Sequence, residues 1–268
     1  MQIDVATLFP ELFHPFLETS LVGRAVSGGI VRVRTRSPRE FGVGKHLKVD
    51  DTPYGGGSGM VMRVDCIVAC LESLDADREG GLRAHRVLLT PQGRPLSQRV
   101  LRELAPKPAI ALVCGRYEGF DERVRSFVDE EISLGDFVMT GGEVAAMAII
   151  EGVARLLPGV LGNEASSTEE SHSPEHGGLL EYPQYTRPAD FRGTGVPEVL
   201  VGGNHGEIER FRREKALERT RERRPDLLEA IGATADVPER SGSSAKGLTK
   251  GASSSGKARG AAGGGGTR

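Results

Sequence analysis

Between Leu112 and Glu143 the chain reads LVCGRYEGFDERVRSFVDEEISLGDFVMTGGE, and two apolar runs break off there into glycine: Ala109 to Val113 stops at Gly115, and a later run stops at Gly141-Gly142. A strand that ends in such a loop presents bare backbone N–H and C=O groups to a ligand, because glycine has no Cβ and accepts positive φ. The chemistry this suits is capture of a small molecule. A third apolar run, Arg86 to Leu89, ends in the turn Thr90-Pro91-Gln92-Gly93. The segment GEVAAMAIIEGVARLLPG then predicts a strong helix with Val144, Met147, Ile150 and Ala154 on one face and a stop at Pro158-Gly159. Arg155 falls in its last turn, where a cation complements the helix dipole.

Other chemistries fit less well. Tyr54-Gly55-Gly56-Gly57-Ser58-Gly59 lacks the spacing of a dinucleotide fingerprint, and no Lys-Ser/Thr pair follows it to make a phosphate loop. GASSSGK, from Gly251 to Lys257, is followed by Ala258 instead of Ser or Thr and has no strand before it. His172-Ser173-Pro174-Glu175-His176 matches the inverted zinc-peptidase pattern, but Pro174 and Gly177-Gly178 break the helix that would put both histidines on one face. No metal site is expected. Cys66, Cys70 and Cys114 have no paired spacing and read as reduced, buried thiols.

The elements that must position these loops alternate. Gln2 to Leu8 alternates like a strand, and Phe9-Pro10-Glu11 begins a helix running to about residue 27. Ile30 to Arg36 alternates again and places Arg32, Arg34 and Arg36 on one face, read either as a solvated strand face or as a phosphate contact. Arg39 to Met62 is too rich in Gly, Asp, His and Lys for a regular element and reads as a long binding loop. A helix over 63–79, the strand at 86–89, a helix over 97–105 and the strand from Ala109 follow. Strands alternating with helices imply a parallel sheet, whose ligands bind beyond the carboxyl ends of the strands. Three such ends, Leu88–Pro91, Cys114–Gly119 and Ser133–Gly142, can surround one ligand. Residues 159–195 read as a linker, and the run after Asn204 as a helix that stops at Pro225.

With 268 residues, 38% of them hydrophobic, the chain can bury a large core. No uncharged apolar run approaches the ~18 residues of a membrane span, and Asp4 interrupts the start where a secretory signal would be apolar, so a cytoplasmic protein is expected. Five of the basic residues, and no acid, lie in 241–268; the whole chain is at −2, so the rest is at −7. That Gly/Ser/Ala-rich tail is expected to be disordered. Within the acidic remainder, residues 206–224 carry eight Lys/Arg against five Glu, an excess that reads either as a solvated face or, equally, as a contact for RNA or DNA.

Taken together, YGGGSGM at 54–60, LVCGRYEGFDERV at 112–124, SLGDFVMTGGE at 133–143, PGVLGNE at 158–164, YTRP at 185–188 and GNHGEI at 203–208 resemble the bacterial tRNA (guanine-N1)-methyltransferases of the SPOUT trefoil-knot superfamily. The likeness covers about residues 1–230. It implies an α/β fold, a parallel sheet with a C-terminal trefoil knot, plus a small helical C-terminal domain and a disordered tail. The implied divisions are a knotted cofactor-binding domain (1–160), a flexible linker (161–195), a helical tRNA-binding domain (196–235) and the tail (236–268).

The implied cofactor is S-adenosylmethionine. Carried over by motif, its contacts are Leu89, Thr90 and Pro91 in the first loop; Gly115, Tyr117, Glu118 and Gly119 in the second; and Leu134, Gly135, Asp136, Phe137, Val138, Met139, Gly141 and Gly142 in the third. The implied partners are tRNA and a second copy of the chain, with the active site at the subunit interface of a homodimer and no membrane. The implied substrate is the guanosine immediately 3′ of the anticodon. Its N1 bears a proton, so transfer needs a base at N1 and a cation or donor at O6. The family supplies an Asp and an Arg for these roles. Arg155 matches the Arg; the family's Glu-Asp-Ser is here Glu169-Glu170-Ser171, which puts Glu170 in the Asp position with Glu169 as fallback. A ribose 2′-O or ribosomal RNA methyltransferase of the same knotted class, and a tRNA-binding relative without catalysis, are the alternatives.

Overall fold

The computed structural model describes residues 1–162, 170–174, 176–230 and 232. Glu169, Glu175, and the whole of the tail assigned to 236–268, including GASSSGK, lie outside the described residues. Five parallel strands form one sheet in the order β2-β1-β6-β5-β7, where β1 is Gln2–Ala6, β2 Arg32–Arg36, β5 His85–Pro95, β6 Ala109–Cys114 and β7 Glu130–Ser133. Two short antiparallel pairs accompany it: β3 (Asp50–Asp51) with β4 (Val61–Met62), and β8 (Asp190–Phe191) with β9 (Thr194–Gly195). β6 lies at the centre and is buried along its whole length, which is why it reads as an unbroken apolar run.

Successive side chains of β6 face opposite ways. Ile110, Leu112 and Cys114 join a core with residues of α2 (Ser20–Ser27), α4 (Gln98–Leu104) and α5 (Glu143–Ala154). Ala109, Ala111 and Val113 join a second core with α3 (Val64–Ala76), whose Cys66, Ile67, Cys70, Leu71 and Leu74 form one helical face. Helices thus cover both faces of the sheet. The short α1 (His14–Leu17) precedes α2, and a helical C-terminal region contains α6 (Glu198–Val201), α7 (His205–Arg223) and α8 (Pro225–Ala230). Asn204 caps α7 by accepting the Glu207 N–H, and Pro225 ends it. All three cysteines are free and buried. No described helix is long and apolar enough to cross a membrane.

Several expectations are corrected. The helix expected from Phe9 to residue 27 is a 3-10 turn at Pro10–Leu12, then α1, then α2, because Pro10 and Pro15 restart the chain and Thr19 is extended at φ −108°. Of the arginines of β2, Arg32 is exposed, whereas Arg34 and Arg36 are tied into ion pairs and so do not form a freely solvated row. Arg34 grips the wholly buried Asp4 at 2.7 and 3.0 Å, and Arg36 pairs with Asp77 at 2.7 Å. The strand expected to end at Leu89 continues to Pro95, its pairing with β7 shifting between Leu89 and Arg94. Gly93 makes that return possible, since a Cβ there would sit 2.4 Å from the Ile132 backbone nitrogen. The last strand ends at Ser133, not at Gly141. In α5, Val144 is 58% exposed; the buried face is Ala145, Ala146, Ile149, Ile150, Val153 and Ala154.

Candidate active site

The break in β5 between Leu89 and Arg94 and the carboxyl ends of β6 and β7 enclose a cavity of about 310 Å³. The first loop supplies Leu89, Thr90, Pro91 and Gln92; the second, residues 115–120; the third, Leu134 and residues 137–142. The three strand ends singled out from the sequence therefore surround one space. Of the fifteen residues carried over by motif, Gly135 and Asp136 stand outside the lining. Asp136 is exposed on the loop's outer side, and the Gly135 carbonyl accepts the Phe137 N–H and the Ser133 hydroxyl.

The walls are chemically divided. Leu89, Ile132, Leu134, Met139 and Ala145 make an apolar slot, while Arg116, Glu118, Glu122 and Arg125 bring charges of both signs. Tyr117 is held at φ 58°, in the left-handed region that a non-glycine residue rarely adopts and that often marks a functional loop. The segment 39–62, which is not wholly irregular as expected but contains the paired β3 and β4, reaches the same place. Met62 and Phe120 form a parallel bridge, the Met62 N–H donates to the Gly119 carbonyl at 2.9 Å, and the Glu118 N–H donates to the Met60 carbonyl at 3.0 Å. Beside it, Tyr54 is fully exposed.

Arg155 and Glu170 meet. The guanidinium is bidentate on the carboxylate, Nη1 to Oε2 and Nη2 to Oε1, both at 2.7 Å, with each side chain about one-third exposed. The hydrogen bond to Glu170 and its charge, working against burial, hold Arg155 above its ordinary pKa, so it stays a cation. This pair lies at the far end of α5 from the cavity. Gly142 and Ala145 line the cavity at the helix start, Arg155 is its C-cap, and a 12-residue helix spans about 18 Å. His172 and His176 lie in turns, and the His176 ring packs edge-on to Tyr182 instead of facing His172 as a ligand pair.

The contacts carried over by motif left out Gln92, Arg116, Phe120, Glu122, Arg125, Ile132, Ser133, Thr140 and Ala145 of the lining, although Arg116, Ser133 and Thr140 lie within the strand-end stretches named from the sequence. Arg116 sits between two predicted contacts and carried a signal in its position alone. Ile132 and Ala145 belong to a regular strand and helix, whose periodicity marked them only as core.

A parallel sheet with helices on both faces and a cavity at its strand ends defines an α/β protein of the kind that binds small molecules there. The pattern of one family, tRNA (Guanine-1)-methyltransferase TrmD, matches residues 1–230, and the chain belongs to that family. It is 65% identical over 245 residues to the tRNA (guanine-N(1)-)-methyltransferase of Sorangium cellulosum, covering 85% of this chain and 93% of that one. Similar relatives of the same name come from Gloeobacter violaceus, 54% identical over 230 residues with 85% and 98% covered, and Deinococcus radiodurans, 54% over 229 residues with 85% and 80% covered.

Proposed function

We propose that the chain methylates N1 of the guanine immediately 3′ of the tRNA anticodon, using S-adenosylmethionine. Family membership across residues 1–230 carries the reading. The cavity fits the cofactor: an apolar slot suits its purine, and the paired arginines and glutamates suit its amino-acid zwitterion and sulfonium. When bound, that cofactor supplies an electrophilic methyl group. The contacts would be the cavity residues of the three loops, from Leu89 through Gly142.

Glu170 is the proposed base and Arg155 the proposed donor. A carboxylate oxygen takes the N1 proton while the guanidinium donates to O6, where negative charge develops. Their mutual ion pair is then the form without substrate, and each partner turns from the other to the base when tRNA arrives. Glu170 is one methylene longer than the family's Asp, so its oxygen must reach N1 from a different backbone position or rotamer.

A homodimer with the active site at its interface is the assembly proposed. Transfer requires reacting atoms about 3 Å apart, and α5 separates the Arg155–Glu170 pair from its own cavity. The open face of α5 carries Val144, Met147 and Ala148, apolar groups that a second copy would cover. The trefoil knot is supported by the return of the third loop onto the second, where the Gly142 N–H donates to the Gly115 carbonyl at 3.0 Å. The helical region from 196 is the proposed tRNA-binding domain, joined by the 161–195 linker. α7 buries only Ala216 and Thr220 and leaves Arg210, Arg213, Arg221 and Arg223 exposed, while Arg212 packs on the Tyr182 ring and Arg219 donates to the Glu181 carbonyl. The cytoplasm, where tRNA is processed, is the proposed location. Glu170→Ala is expected to abolish turnover while cofactor affinity survives; full activity in that variant would overturn the assignment of the base.

A further inference from the structure

Glu143, the first residue of α5, is 2% exposed and does not line the cavity. A buried carboxylate is costly unless it is compensated, so its partners are informative. Oε1 accepts the Thr7 hydroxyl at 2.8 Å and Arg116 Nε at 3.3 Å. Oε2 has no hydrogen bond of good geometry and is compensated by Arg116 Nη2 at 2.8 Å. Arg116, which lines the cavity, is held by further contacts. Its Nη1 donates to the Thr140 carbonyl at 3.3 Å, and its guanidinium lies 4.3 Å from the centre of the Phe9 ring. The Thr7 hydroxyl oxygen in turn accepts the Phe9 N–H at 3.0 Å, closing the network. The ion pair packs so tightly on the third loop that a Cβ on Gly141 would stand 2.3 Å from Arg116 Nε and 2.4 Å from Glu143 Oε2.

We propose that Glu143 is a positioning residue for the cofactor site. Its carboxylate orients Arg116, and Arg116 tethers the third loop through Thr140, so the cavity wall from Leu134 to Gly142 is held in its binding shape. Glu143 acts only through Arg116. The inference rests on the reading of the cavity as the cofactor site.

The test is a double-mutant cycle on the full chain with S-adenosylhomocysteine as probe, its affinity measured by titration calorimetry and the steady-state constants measured in parallel. Glu143→Gln keeps the shape and removes the charge. It is expected to weaken probe binding about tenfold and raise the KM for S-adenosylmethionine, with the KM for tRNA unchanged. Arg116→Ala is expected to weaken binding at least as much, and the double variant no further than Arg116→Ala alone. Additive losses, unchanged binding in Glu143→Gln, or equal rises in both KM values would overturn the proposal. If Glu143→Gln does not fold, Arg116→Ala decides: retained affinity there overturns it, because Glu143 is proposed to act only through Arg116. Absence of probe binding to the unaltered chain would overturn the cavity reading itself.

Discussion

Glu170 and Arg155 are fifteen positions apart in the chain and joined by two hydrogen bonds of 2.7 Å. Nothing in the spacing announced that contact; resemblance to a family singled out both residues, and the structure brings them together. If Arg155 stabilises charge developing at O6, Arg155→Ala should lower kcat by about 100-fold or more, as loss of an oxyanion donor does, with the KM for S-adenosylmethionine little changed. A rise in that KM with kcat intact would assign Arg155 to cofactor binding instead. The cysteines were legible from their apolar neighbours. Burial pushes the Cys70 thiol up to about 12 and Cys114 well above its ordinary value. A thiol reagent at pH 8 should leave both unlabelled in the native protein, and rapid labelling without unfolding would contradict this.

At the scale of elements, the apolar runs of β6 and α3 were legible because each buries a face or a whole strand. The register shift in β5 was not, since it depends on close backbone contact with β7 at Gly93, and nearest-neighbour pattern carries no such long-range information. The polar lacing of the sheet was also hidden. Asp75, at the end of α3, accepts the Ala84 N–H at 3.0 Å and the guanidiniums of Arg78 and Arg86 at 2.7 and 2.6 Å. Burial alone would raise its pKa, but the Ala84 N–H and the two arginines outweigh it and hold Asp75 below its ordinary value. A depressed folded-state pKa stabilises the fold above the unfolded value of about 4, and that contribution is lost as pH falls through the folded value. The thermal midpoint should therefore hold from pH 7 to about 5 and fall below pH 4. Asp75→Asn should lower the midpoint at pH 7, by the equivalent of about 3 kcal/mol, and flatten the acid fall. An unchanged profile would show that the pairing contributes nothing to stability.

The whole molecule poses the question of how a cavity at one end of α5 and an ion pair at the other serve one reaction. Three loops converging on one cavity were legible from alternation of strands and helices. In the sequence, the proposed threading and the proposed second copy rest on the family resemblance alone, because local pattern carries no information on global topology. If each site is shared between two copies, a chain with its cavity filled by Leu134→Trp and a chain carrying Arg155→Ala, each inactive alone, should recover about a quarter of full activity after mixing, since half of randomly paired dimers then hold one intact site. No recovery, with exchange of subunits verified, would place the whole site within one chain. The most direct test of the account is methyl transfer from labelled S-adenosylmethionine to a tRNA transcript, beside the same transcript with adenosine 3′ of the anticodon. Label in the first transcript alone, at guanine N1, is the predicted result; cofactor binding without transfer, or label elsewhere, would contradict it.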